Sequence, residues 1–160
     1  MTRLYIVRHA EAVEKDDDRS DAGRPLTDRG RRQFRRVAKA LRKFDVVFDR
    51  LLHSPKLRAV ETAEFLEDLV EADTIVTRNL AKPPSPMLLD EIRGEVVAVV
   101  GHEPYLGALA AWLLTGSKAG GGRFALKKGG ILALDGDVRP GAMRLVCCMT
   151  PKILRALAKA

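Results

Sequence analysis

The chain has 160 residues, 46% of them hydrophobic, so one domain over residues 1–160 is expected, with a core large enough to need no staples. Aromatic residues make up only 5%, which leaves the core to aliphatic side chains. The net charge of +7 admits acidic partners or nucleic acid, but no basic stretch is interleaved with aromatics of the kind that stack on bases, so nucleic acid is not the expected partner.

Leu4 to Val7 is a continuous apolar run, expected as a strand buried on both faces. The strand-like run from Met1 to Val7 leads to the expectation of no secretory leader, and no stretch is apolar for long enough to span a membrane; a cytoplasmic protein is expected. Glu14 to Arg24, with three aspartates in a row, is expected as a surface loop. Thr27 has the character of a helix N-cap, followed by Phe34, Val37, Ala38, Leu41 and Phe44 at helical spacing. The same segment carries Arg29, Arg31, Arg32, Arg35, Arg36, Lys39, Arg42 and Lys43, read as a solvated face. Val46 to Leu52 predicts a second strand. Pro55 suits the first turn of the next helix, with Leu57, Val60, Ala63, Leu66 and Val70 as its apolar stripe. Thr74 to Thr77 is a short β-rich run, Lys82 to Pro86 a break, and Met87 to Ile92 a short helix.

Val96 to Val100 is the clearest buried strand. Leu106 to Leu114 predicts a helix ending near Gly116, and Ser117 to Gly122 a loop. Phe124 to Leu126, Ile131 to Leu134 and Leu145 to Cys148 read as strands, joined in hairpins at Gly129-Gly130 and Asp135-Gly136-Asp137. A last helix starts near Lys152. Cys147 and Cys148, the only cysteines, are adjacent, so they form neither a spaced disulfide framework nor a metal set; they are expected as buried thiols on a strand. Alternating strands and helices predict an α/β fold, a three-layer α/β/α sandwich with a mostly parallel sheet and an antiparallel edge.

Ligands of such sheets bind beyond the carboxyl ends of the strands. Arg8 and His9 follow the first apolar strand, His102 follows the Val-rich strand, and His53 and Ser54 follow the second. Arg58 lies one turn into the next helix, so these residues are expected on one rim. Arginine presents forked, permanently charged donors that suit phosphate oxygens. The helix start near Ser54-Pro55 would add backbone donors. A neutral histidine there can attack phosphorus, and neighbouring arginines favour the neutral form. His53, beside Leu51 and Leu52, reads as structural. A zinc site is the rival reading of the histidines, but no ligand set at metal spacing accompanies them.

Four segments carry a resemblance. Leu4 to Glu11, with Arg8-His9, resembles the opening motif of the histidine phosphatase superfamily, the group that includes the phosphoglycerate mutases. Arg24-Pro25-Leu26-Thr27 with Gly30, Ser54-Pro55 with Arg58-Ala59 and Thr62-Ala63, and Val99-Val100-Gly101-His102 resemble its later motifs in order. The resemblance implies a phosphoglycerate mutase-like fold and a metal-independent, cofactor-free phosphatase. It implies that His9 is the phosphorylated residue and that Arg8, Arg58 and His102 bind phosphate. The short length and the Arg-Pro-Leu-Thr element look most like SixA-type phosphohistidine phosphatases. Implied partners are then phosphohistidine proteins of signal transduction, such as histidine-containing phosphotransfer domains. Many members place a glutamate proton donor after the third strand, but Asn79 to Leu89 holds no acid here. Glu103 is a candidate donor, although Glu103-Pro104 equally suits a helix start; Glu11 is a weaker candidate. The alternatives are a small-molecule phosphomonoesterase using Glu103 and a non-catalytic phosphate-binding module.

Overall fold

A computed structural model describes all residues from Met1 to Ala160. Its centre is one sheet built from β1 (Thr2–Arg8), β2 (Phe48–His53), β3 (Val70–Val76), β4 (Val96–Gly101), β5 (Ile131–Gly136) and β6 (Met143–Met149), in the order β3-β2-β4-β1-β5-β6. β1 to β4 run parallel, β5 pairs antiparallel with β1, and β6 antiparallel with β5. This is the expected mostly parallel α/β sheet with an antiparallel edge. β4 is apolar throughout and buried from Val97 to Gly101, because helices cover both sides of it.

One core holds Phe34, Val37, Leu41, Leu51, Ala63 and Leu154, beneath α1 (Asp28–Lys43), α2 (Leu57–Glu64) and α5 (Pro151–Lys159). The other holds Leu80, Leu88, Leu106, Leu109 and Leu113, beneath α3 (Pro86–Glu91) and α4 (Tyr105–Thr115). The Thr27 hydroxyl caps α1 by accepting from Gly30 N, which satisfies one of the donors a helix start leaves free. Gly30 is fixed by contact: a Cβ there would lie 2.2 Å from the Glu11 carbonyl oxygen. α4 closes on Gly116 at φ 84°, a left-handed C-terminal position that glycine takes without strain.

Several local expectations are corrected. Phe44 is not on the α1 stripe; it follows the helix and is 55% exposed. α2 starts two residues after Pro55, and its buried face is Arg58, Ala59, Thr62 and Ala63, with Leu57 and Val60 only half-buried. Val70 opens β3 instead of continuing that stripe. Phe124 to Leu126 is not a strand: Gly121–Phe124 forms a 3-10 turn and Ala125 takes φ 47°. Gly129-Gly130 therefore closes no hairpin, and the only hairpin in this region joins β5 to β6. Cys147 is half-buried and Cys148 exposed, because β6 is an edge strand. The 121–124 turn sits hard against α4 through two facing glycines: a Cβ on Gly107 would lie 2.6 Å from the Gly121 oxygen, and one on Gly121 would lie 2.3 Å from the Gly107 carbonyl carbon. No helix is long and apolar enough to cross a membrane.

Candidate active site

Three neighbouring strands deliver the site. Where β1 ends, His9 N donates to the Gly101 oxygen at 3.0 Å; where β2 ends, Ser54 N donates to the Val100 oxygen at 3.0 Å. The carboxyl ends of β2, β4 and β1 are thus tied together, and Ser54, His102 and His9 emerge side by side. Arg58 comes from the first turn of α2. Its own carbonyl accepts from the Thr62 hydroxyl at 2.6 Å, and that hydroxyl accepts from Ala10 N at 3.0 Å. The helix that carries the arginine is therefore fastened to the residue after His9.

His9 is buried, with 5% of its surface exposed. Its Nδ1 lies 2.7 Å from the Ala10 carbonyl oxygen. A carbonyl can only accept, so Nδ1 carries the proton and Nε2 the lone pair. Burial lowers the His9 pKa to about 4; the hydrogen bond to Ala10 opposes this, and the charges of Arg58, Arg8 and Lys128 add to it. The ring is neutral at pH 7. The His102 ring stands 5.2 Å from it, centroid to centroid. His102 Nε2 is 2.7 Å from the Ser54 hydroxyl oxygen, and burial, with His9, Arg58 and Lys56 nearby, brings its pKa to about 3. If the Ser54 hydroxyl donates to Nε2, the His102 proton sits on Nδ1.

Arg8 donates through Nη1 to the Leu126 carbonyl oxygen at 2.8 Å. Arg58 donates through Nη1 to the Asp21 carbonyl oxygen at 2.8 Å, and its Nη2 lies 3.4 Å from the Asp21 carboxylate. Desolvation lowers both arginine pKa values; Glu103 opposes the shift at Arg8 and Asp21 that at Arg58. Each guanidinium is held at one end, and three buried side-chain nitrogens here have no hydrogen-bond partner: Arg8 Nε, Arg58 Nε and His102 Nδ1. Buried donors are nearly always paired in proteins. Three unpaired ones beside a neutral histidine with a free Nε2 fit a bound oxyanion.

Arg8, His9, Arg58 and His102 are all brought to this rim, as expected. Ser54 N is not one of the expected backbone donors, because it is used by Val100, and the helix start lies two residues beyond Pro55, at Leu57; the Ser54 side chain instead meets His102. His53 Nδ1 lies 2.9 Å from the Ser54 carbonyl oxygen, the structural position read for it. Glu103 accepts from Gly107 N at 2.6 Å, which is the helix-start role, while its charge reaches Arg8. Glu11 accepts from the Thr27 hydroxyl at 2.8 Å. No group of three His, Cys, Asp or Glu side chains could hold a metal ion.

The residue that sequence reasoning missed is Asp21. It sits in a 3-10 turn, Asp21–Gly23, within the stretch read as a surface loop. Its carboxylate meets Arg24 at 3.1 Å and Lys56 at 3.1 Å besides Arg58. Desolvation raises its pKa, but hydrogen bonds from Lys56 and Arg24 and the charge of Arg58 outweigh that and hold it well below the usual carboxylate range. Spacing could have suggested only the Arg24 pair; the approach to Arg58 depends on how the loop folds back.

The family model described as histidine phosphatase superfamily (branch 1) matches residues 4–82, which include Arg8, His9 and Arg58. The chain is 35% identical over 150 residues to an uncharacterized protein of Picosynechococcus sp., covering 89% of this chain and 87% of the other. Among solved structures it resembles the protein histidine phosphatase SixA complexed with tungstate, at 27% identity and a TM-score of 0.76, covering 96% of this chain and 99% of that one. The chain belongs to the histidine phosphatase superfamily. Within the superfamily its fold is SixA-like. A phosphoserine phosphatase from Entamoeba histolytica, solved in complex with 3-phosphoglyceric acid, shares the fold at 17% identity and a TM-score of 0.71, covering 96% of this chain and 100% of that one. The histidine phosphatase architecture thus serves more than one substrate class, and fold alone does not select among them.

Proposed function

We propose that this histidine phosphatase removes phosphate from protein phosphohistidine through a covalent phosphohistidine intermediate on His9. The observation that carries the reading is the set of unpaired buried nitrogens on Arg8, Arg58 and His102 around a neutral imidazole whose Nδ1 proton is fixed by Ala10. His9 Nε2 attacks phosphorus, and the bond from phosphorus to the substrate nitrogen breaks. Arg8, Arg58 and His102 donate to the non-bridging oxygens as charge builds on the transferring group, the main source of catalysis in phosphoryl transfer. Water then attacks the phosphoenzyme, and His9 departs with its electron pair restored to Nε2. Asp21 orients Arg58 and does not serve as the acid, because the cations around it keep it ionised.

Leaving-group chemistry supports the substrate choice. An alkoxide departs as a base whose conjugate acid resembles water, with pKa ~15.7, and needs a proton donor worth ~10²–10⁴-fold. A phosphohistidine that carries a proton on its other ring nitrogen takes the electron pair back as neutral imidazole, whose conjugate acid has a pKa of roughly 6.5, and needs little help. The two candidate acids, Glu103 and Glu11, are already engaged with Gly107 N and the Thr27 hydroxyl. In this reading the partner is a phosphohistidine protein, such as a histidine-containing phosphotransfer domain. The charge of Glu103 near Arg8 supports one second reading, a phosphomonoesterase with Glu103 as donor.

The deciding experiment compares a phosphohistidine protein with a phosphoserine peptide. The first should be favoured by at least ~100-fold in kcat/KM, the low end of a missing acid's contribution. Rapid quench should trap an acid-labile, base-stable phosphoenzyme that His9→Ala abolishes. A fully active His9→Ala protein would end this mechanism.

A further inference from the structure

Positive charge is concentrated on one side of the fold. Residues 28–43, 127–128 and 151–160 hold thirteen of the twenty-eight Lys and Arg but one of the twenty-one Asp and Glu. The remaining residues, with fifteen basic against twenty acidic, are net negative. These three segments are neighbours: α1 packs along α5, and Gly129, directly after Lys128, donates its N–H to the carbonyls of Arg8 and His9 at 3.0 and 3.1 Å. The first turn of α1 is also at the site, because its cap Thr27 is bonded to Glu11, two residues beyond His9.

Apart from Lys43, which donates to the Ala160 carbonyl oxygen, the cations of α1 divide into two kinds. Arg31 pairs with Glu61 and Arg42 with Asp68, and Arg35 lies over the Phe65 ring at 5.6 Å; these hold α1 to its neighbours. Arg29, Arg32, Arg36 and Lys39 are exposed and take part in no ion pair. Their spacing of three, four and three residues puts them in a line along one face. Like charges at such spacing destabilise a helix, so the fold gains nothing from this line.

We propose that the line formed by Arg29, Arg32, Arg36 and Lys39, continued at the rim by Lys127 and Lys128, is the docking face for an acidic protein surface that flanks the phosphohistidine. The proposal rests on the phosphohistidine reading of the site. A protein partner fits better than a nucleic acid or a membrane. The face offers no exposed aromatic for bases to stack on, and the apolar side of α1 is fully used in the core, leaving none to enter a lipid surface. His9 is only 5% exposed, so a substrate histidine must project into the rim while the surface around it meets the first turn of α1 and residues 127–128. Opposite charge there steers the encounter and raises association rates.

The test uses the quadruple variant Arg29→Gln, Arg32→Gln, Arg36→Gln, Lys39→Gln and a phosphohistidine protein with an acidic surface. Binding of the phosphorylated and unphosphorylated protein, of duplex DNA and of anionic vesicles is measured alongside turnover, from about 0.01 to 1 M salt, where the screening length shrinks from roughly 30 to 3 Å. The variant should bind and turn over the acidic protein at least ~10-fold more weakly at low salt, the difference vanishing at high salt, while turnover of phosphoimidazole stays equal to wild type. Single-site Arg29→Gln and Arg32→Gln proteins, each closest to the rim, should show part of the loss if the quadruple variant fails to fold. Equal, salt-independent binding of the acidic protein by wild type and variant overturns the proposal, as does a loss confined to duplex DNA or anionic vesicles. Because binding is read separately from turnover, charge-dependent binding without hydrolysis supports the docking face and sinks the catalytic reading instead.

Discussion

The two site histidines make a prediction about acid stability that depends on little besides their burial. Each would have a pKa of 6.5 when free, and the fold holds His9 at about 4 and His102 at about 3. At pH 5 the unfolded chain binds a proton at both positions and the native protein binds almost none. Stability rises with pH wherever the unfolded state binds more protons, so stability is full above pH 6.5 and is lost as pH falls toward the folded values. Between pH 7 and pH 5 the loss is set by the distance from 6.5 down to 5, whichever depth the folded pKa reaches. That distance corresponds to about 2 kcal/mol per histidine and about 4 kcal/mol for the pair. All other titrating groups, His53 included, are common to the proteins compared and cancel in the difference between them. Urea unfolding followed by far-ultraviolet circular dichroism would be run at pH 7 and 5 on wild type, His9→Gln, His102→Gln and the double variant. Wild type should lose about 4 kcal/mol more than the double variant over that interval, with each single variant removing about half. If wild type and double variant lose the same amount within about 1 kcal/mol, near the error of extrapolation, the rings are not held neutral and the tautomer argument for His9 fails with them.

Arg58→Ala should lower kcat/KM on phosphohistidine by ~100-fold or more, about 3 kcal/mol of lost oxyanion stabilisation, with the circular dichroism spectrum unchanged; a change below about threefold would leave Asp21, not phosphate, as its function. Glu103→Gln keeps an oxygen for Gly107 N, so phosphohistidine turnover should stay within about twofold; selective loss of alkyl ester hydrolysis would install the phosphomonoesterase reading. Gly30→Ala places a methyl 2.2 Å from the Glu11 carbonyl oxygen and should lower unfolding free energy by ~1–3 kcal/mol or more; an unchanged melting temperature would show that the chain beside His9 yields freely.

Much of this architecture can be read before any coordinates, for reasons visible in particular residues. Leu4 to Val7 and Val96 to Val100 declare themselves because strands covered on both faces need apolar side chains at every position, and the site follows from what lies just past them. Thr27 is legible because capping is local chemistry. The failures arise where tertiary contact overrides local pattern. Phe124 to Leu126 has strand-like residues, yet Gly120 and Ala125 take positive φ and wind the segment into a turn. The buried face of α2 was misplaced because it contains Arg58 and Thr62, and hydropathy periodicity sends an arginine outward. Cys147 and Cys148 have the polarity of core residues, but β6 is an edge, which composition does not reveal. Asp21 lies in a polar stretch with no periodicity, so its place among Arg24, Lys56 and Arg58 is a property of the folded loop alone.

The facing glycines of α4 and the 121–124 turn extend the site to a place without reactive groups. That turn runs on to Leu126, whose carbonyl receives Arg8 Nη1. A single methyl at Gly107 or Gly121 would wedge the turn off the helix and carry the Leu126 oxygen with it, so the guanidinium would lose its aim while every residue at the rim remained intact. Trimming a neighbouring side chain, Glu103 included, cannot restore the space, because the nearest obstruction on each side is main chain. Among variants of this enzyme, inactive ones with unaltered chemistry should therefore gather at these two positions, and suppressors of them should be rare.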